Sequence, residues 1–150
     1  MSHFVDTTKK PRPENVGYHN TSLGIVDASK VSLQWSSLQY RGPRGPWQED
    51  GMRIYEDMRS ESLNANVLDY LLEHPDLIPR RWKKYCVVFW GTTFRDTNND
   101  LCVGCLGFYK ALNKWGIIVK LVDDYFGPSW PAAYPRQSWK DIAHKIIDRF

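Results

Sequence analysis

The feature that most restricts how this chain can fold lies between Tyr85 and Phe126. Three runs rich in β-branched and aromatic residues follow one another there, at 85–94 (YCVVFWGTTF), 101–109 (LCVGCLGFY) and 115–122 (WGIIVKLV). The breaks between them carry turn formers: Asp96, Asn98, Asn99 and Asp100 in the first, Asn113 and Lys114 in the second. Runs of this composition separated by such breaks read as strands of an antiparallel meander. Connections so short exclude parallel neighbours, whose crossover takes about a dozen residues or more.

Helical patterns lie on either side. From Glu49 onward Met52, Tyr55 and Met58 share one face, and Leu63, Val67, Leu68, Leu71 and Leu72 continue at helical spacing. Ser60 and Ser62 are expected to divide this stretch into two helices, and Pro75 to end the second near His74. Ser138 and Asp141 fit a weak capping box for a last helix, with an apolar stripe of Trp139, Ile142, Ala143, Ile146, Ile147 and Phe150.

Toward the N-terminus, 23–26 and 30–35 read as short strands. Val31, Leu33 and Trp35 alternate there with Ser32 and Gln34, and Asp27 and Ser29 supply the turn. Proline and glycine make 41–46 (RGPRGP) a rigid connector and 125–135 a stiff aromatic loop. Residues 1–22 are polar and broken by KKPRP at 9–13, which predicts an extended arm. The 150 residues fit one domain. The expectation is a single α+β domain over 23–150, an antiparallel β-meander sheet flanked by amphipathic helices, behind an arm at 1–22.

No constellation for catalysis emerges. Cys102 and Cys105 form a CxxC, but residues three apart on a strand point to opposite faces. With the hairpin turning at Asn98 and Asn99, Cys86 falls opposite Ala111, well away from Cys105. A zinc site would need a tight knuckle in place of the strand, and further donors such as His74 or His144. The three cysteines therefore read as buried thiols, without metal or cofactor. Asp96 and Asp100 are explained by the turn, and Asp123 and Asp124 would face opposite ways on a strand. No serine occupies a nucleophile elbow.

Binding is the remaining class. Aromatics at 14%, with seven tryptophans, suit a core of large pieces or a contact surface. The first reading is a non-catalytic protein-binding or assembly module whose partner is another protein or a second copy. Its contact surfaces would be the arm, the connector with Arg44 and Trp47, and the aromatic loop with Tyr125, Phe126 and Trp130. The alternative is a nucleic-acid binder using Arg80, Arg81, Trp82, Lys83, Lys84 and Tyr85, four cations interleaved with two aromatics. Against it stands a plain strand entry, with the cations turned to water and Trp82 packed inward. A net charge of +3 is modest for a dedicated nucleic-acid binder. The chain has neither a long apolar run nor a signal-type N-terminus, so a soluble, cytoplasmic protein without membrane contact is expected.

The block LNANVLDYLL (63–72), LIP (77–79), WK (82–83), VFWGT (88–92), RD (95–96) and LCV (101–103) resembles a group of short uncharacterised bacterial proteins. The likeness extends over 63–133 and implies no activity and no catalytic residue. That group continues with a tryptophan-rich third strand, where this chain keeps Trp115 and then runs Gly116, Ile117, Ile118 and Val119.

Overall fold

Strands and helices alternate with little regularity along the chain. The structure, a computed structural model, describes residues 2–36, 39 and 49–136. Arg44, Trp47 and the expected helix at 138–150 lie outside the described residues. In order come β1 (Phe4–Asp6), β2 (Val16–His19), β3 (Ile25–Asp27), β4 (Val31–Gln34), β5 (Glu49–Asp50), α1 (Gly51–Met58) and α2 (Ala65–Glu73). Then follow β6 (Val87–Arg95), β7 (Leu101–Tyr109), β8 (Lys114–Leu121), β9 (Tyr125–Phe126) and β10 (Ala132–Pro135). The chain is mixed α+β, with sheets dominated by antiparallel pairing. β6, β7 and β8 are successive antiparallel neighbours. The sheet as a whole is mixed, because β10 enters between β4 and β6 and runs parallel to β6.

β6 is the central strand, and its alternation divides the core. Val87 and Phe89 pack with Val67, Leu68 and Leu71 of α2, together with Trp82 and Leu106. Val88 and Trp90 pack with Ile54, Tyr55 and Met58 of α1, together with Val103, Cys105 and Phe126. A strand buried on both faces reads as a continuous apolar run rather than a polar–apolar alternation. That explains the uninterrupted VVFW of the sequence.

The β6–β7 register corrects one expectation. Arg95 pairs with Leu101 and Thr93 with Val103, but Val88 pairs with Cys105, so β6 holds a bulge between Val88 and Thr93. The ladder therefore brings Cys86 beside Gly107 and near Cys105, instead of opposite Ala111. The bulge is held by the segment leading into α2. Gly91 N–H donates to Leu63 O at 3.1 Å, Trp90 N–H to Ser62 Oγ at 3.1 Å, and Ala65 N–H to Thr92 Oγ1 at 2.9 Å. A Cβ on residue 91 would stand 2.6 Å from Ser62 O and 2.7 Å from Leu63 O, so only glycine admits the approach.

Residues 2–22 contribute two strands to the sheets. β2 pairs with β6 and β1 with β3, and Asn20 N–H donates to Gly91 O at 2.6 Å. Asn64, the N-cap of α2, ties them further. Its Oδ1 accepts from Asn66 N–H at 3.1 Å, while its buried amide donates to Thr7 O at 2.9 Å and Asn20 O at 2.8 Å. Asn20 in turn donates its amide to Ser60 O at 3.0 Å and to Ser62 O at 3.4 Å, satisfying buried backbone.

The stretch at 125–135 is likewise not a loop, since it contains β9 and β10. Phe126 lies in the core against Trp90, ring centroids 4.9 Å apart. Ala132 and Ala133 are small enough to pass through the middle of the molecule, where both are fully buried.

Candidate functional site

The segment 80–85 decides where the charges go. Arg80–Lys84 is a 3-10 helix that follows Pro79, in place of a strand entry. Such a helix has about three residues per turn, so side chains at i and i+3 stand over one another. Arg81 and Lys84 therefore share a side, and Arg80 and Lys83 share another. Trp82 points inward and is buried, so it belongs to the core and not to a contact surface. Lys83 leaves in a different direction, its Nζ 4.3 Å from the ring centroid of Phe108.

Arg81 and Lys84 line one wall of a cleft of about 640 Å³, with Tyr85 beside them. Its other walls come from Val31, Ser32 and Leu33 of β4, from Trp35, and from Arg136. The pairing of β4 with β10 supplies these distant groups. Gln34 lies opposite Ala132, which sets Trp35 just beyond one end of the ladder. Pro135 lies opposite Val31 and Arg136 N–H donates to Lys30 O at 2.8 Å, which sets Arg136 at the other end.

Two aromatic rings form one end of the cleft. Trp35 meets Tyr85 edge-on, centroids 5.7 Å apart at 74°. The indole Nε1–H of Trp35 donates to Pro128 O at 2.7 Å, which fixes the ring's orientation. Lys84 Nζ stands 5.2 Å from the Tyr85 ring centroid, within cation–π range. Arg81, Lys84 and Arg136 put three cations along the cleft, and among the described residues no aspartate or glutamate lines it. Such a combination attracts an anion and gives its flat groups a face to rest on.

The aromatic segment 125–130 is divided between core and surface. Phe126 is buried and Tyr125 is exposed, while Trp130 is half-buried. The Trp130 ring carries Lys120 Nζ at 4.0 Å from its centroid, and Lys120 also sits 3.8 Å from an Asp124 carboxylate oxygen. Arg80 is exposed and does not line the cleft. Of the residues singled out from the sequence, Arg81, Lys84 and Tyr85 come together. Trp35 and Arg136 join them through strand pairing, which no local pattern signals.

Among the described residues no group of three or more His, Cys, Asp or Glu side chains is placed to hold a metal ion. Cys102 and Cys105 are buried, and burial pushes both thiols upward, Cys105 furthest. Thr92 joins His19 at 2.8 Å (Oγ1 to Nδ1), but the same Oγ1 accepts from the Ala65 backbone and His19 Nε2 meets Lys9 O at 3.0 Å. Both groups of that pair are thus engaged by the fold. Among the described residues no helix is long and apolar enough to cross a membrane. No protein-family model, curated protein or solved structure matches the chain.

Proposed function

We propose that the protein is a non-catalytic binding module whose cleft between β4 and the 80–85 segment takes single-stranded nucleic acid. The observation that carries this reading is one cleft lined by Arg81, Lys84 and Arg136, with the edge-on rings of Trp35 and Tyr85 at one end. Cations of this kind track a phosphate backbone, and exposed rings stack on bases without demanding a sequence. Arginine suits the role further, because its planar fork matches phosphate oxygens. The net charge of +3 is small, so affinity would come from this local cluster rather than from the field of the whole molecule.

The reading in which the connector and the aromatic segment bind another protein has less behind it. Phe126 is taken up by the core, and the N-terminal residues belong to the sheets. The test is fluorescence anisotropy with a labelled oligothymidylate at low salt, comparing the wild-type chain with the Arg81→Ala, Lys84→Ala double variant. Saturable binding that falls at least tenfold in the variant supports the reading. Binding unchanged by the double substitution, or none at all, rejects it.

A further inference from the structure

We propose that β8 is a self-association edge, through which two copies of this chain pair antiparallel about a two-fold axis at Ile118. β8 pairs with β7 along its whole length, from Lys114 opposite Tyr109 to Leu121 opposite Cys102, without a register break. Among the described residues nothing pairs with its other side. Sheet edges left open are usually guarded by a proline, a bulge, a very short strand or a charge pointing across the edge. β8 is eight residues long, contains no proline and has no bulge. Its one interior charge, Lys120, is turned onto the Trp130 and Phe126 rings on the α1 side.

The opposite face of the strand is apolar and open. Ile117 is 43%, Val119 56% and Leu121 39% exposed, in one row with Trp115. The row continues into an apolar groove of about 310 Å³ bounded by Leu68, Phe89, Phe94 and Gly104. An exposed row of this kind beside an unpaired edge is a template for a further strand.

Charge and pattern select a second copy as that strand. Pairing about Ile118 sets Ile117 opposite Val119 and Trp115 opposite Leu121, so the apolar row meets itself, while Lys120 falls opposite Gly116. Pairing about Ile117 would instead put Lys114 directly opposite Lys120, which like charges resist. A slip by one residue would set the row of one copy against the other face of its partner. Ile117 O already accepts from the Tyr109 hydroxyl at 2.8 Å, and its second lone pair remains for the partner's amide.

The experiment is light scattering coupled to size exclusion in physiological salt, on the wild-type chain and on Val119→Lys. The wild type is expected at twice the 17.5 kDa chain mass and the variant at the single mass, with unchanged circular dichroism. The register is checked independently by mixing Ile117→Cys with Val119→Cys under mild oxidation. The mixture is expected to give a disulfide-linked dimer, and neither protein alone to do so. A wild-type monomer overturns the proposal. A dimer that survives Val119→Lys and does not cross-link overturns it equally.

Discussion

Trp35 and Tyr85 stand edge to face, ring centroids 5.7 Å apart, although one follows β4 and the other closes the 3-10 helix before β6. The contact joins an edge strand of the sheet to the segment that carries the cations, so cleft shape and cleft charge are fixed together. Trp35→Ala is expected to weaken oligonucleotide binding about tenfold, the usual worth of one base–ring stack. Thermal unfolding should move little, because the indole is partly exposed. Trp35→Phe should restore most of the affinity, which separates stacking from the hydrogen bond to Pro128.

Gly91→Ala tests the bulge in β6. The new methyl would press on the Ser62 and Leu63 carbonyls, both backbone atoms that cannot swing aside. A destabilisation of about 1–3 kcal/mol is expected, as for overpacked core positions. Urea unfolding measures it, and a change below about 1 kcal/mol would show that the bulge relaxes freely.

Asn64 holds the N-terminal strands to the start of α2. Removing its side chain in Asn64→Ala deletes the cap and strands two buried carbonyls, those of Thr7 and Asn20. The expected cost is about 2–4 kcal/mol, combining a lost cap with unsatisfied acceptors. Asn64→Asp keeps the capping oxygen but brings oxygen against both carbonyls. It should therefore be less stable than the wild type at pH 7, with the deficit shrinking as the new carboxyl is protonated in acid.

Burial raises the Asp69 carboxyl above the ordinary aspartate value, opposed by Arg12 at 3.9 Å. With the folded-state value above the unfolded one, the native chain holds this proton over the window between them. Asp69 thus favours folding below that window, and the advantage is lost as pH rises through the folded value. Asp69→Asn is expected to match or slightly exceed the wild type in stability near neutrality. In acid, below the unfolded value of about 3.9, the wild type should gain relative to the variant. Urea midpoints at pH 7 and pH 3.5 would reveal the opposite trend if the Arg12 pair outweighed burial.

Much of the frame was legible in the sequence, because it obeys simple periods. The α1 and α2 segments show helical spacing, Pro75 stops the second, and the runs that became β6, β7 and β8 are β-rich and bounded by turns. What was hidden depended on partners distant in the chain. Ala132 and Ala133 have weak strand preference, yet their small size lets β10 pass through the core. The polar N-terminal residues gave no strand signal, since β2 is fixed by pairing with β6 and by the Asn20 backbone. The bulge shifted the ladder and moved Cys86 toward Cys105, a rearrangement imposed by the Ser62 to Ala65 segment. In the cleft, Arg81, Lys84 and Tyr85 were visible as a basic and aromatic cluster. Their grouping came from a 3-10 turn, and Trp35 and Arg136 came from the β4–β10 ladder.

The most direct test of the central claim is the salt dependence of oligothymidylate binding. Three phosphate contacts, by Arg81, Lys84 and Arg136, predict a slope of about −2 for log affinity against log salt on a single strand. Arg136→Ala should flatten that slope by about 0.7, the share of one contact. A slope near zero, or one that Arg136→Ala leaves unchanged, would contradict the assignment of this cleft to a phosphate backbone.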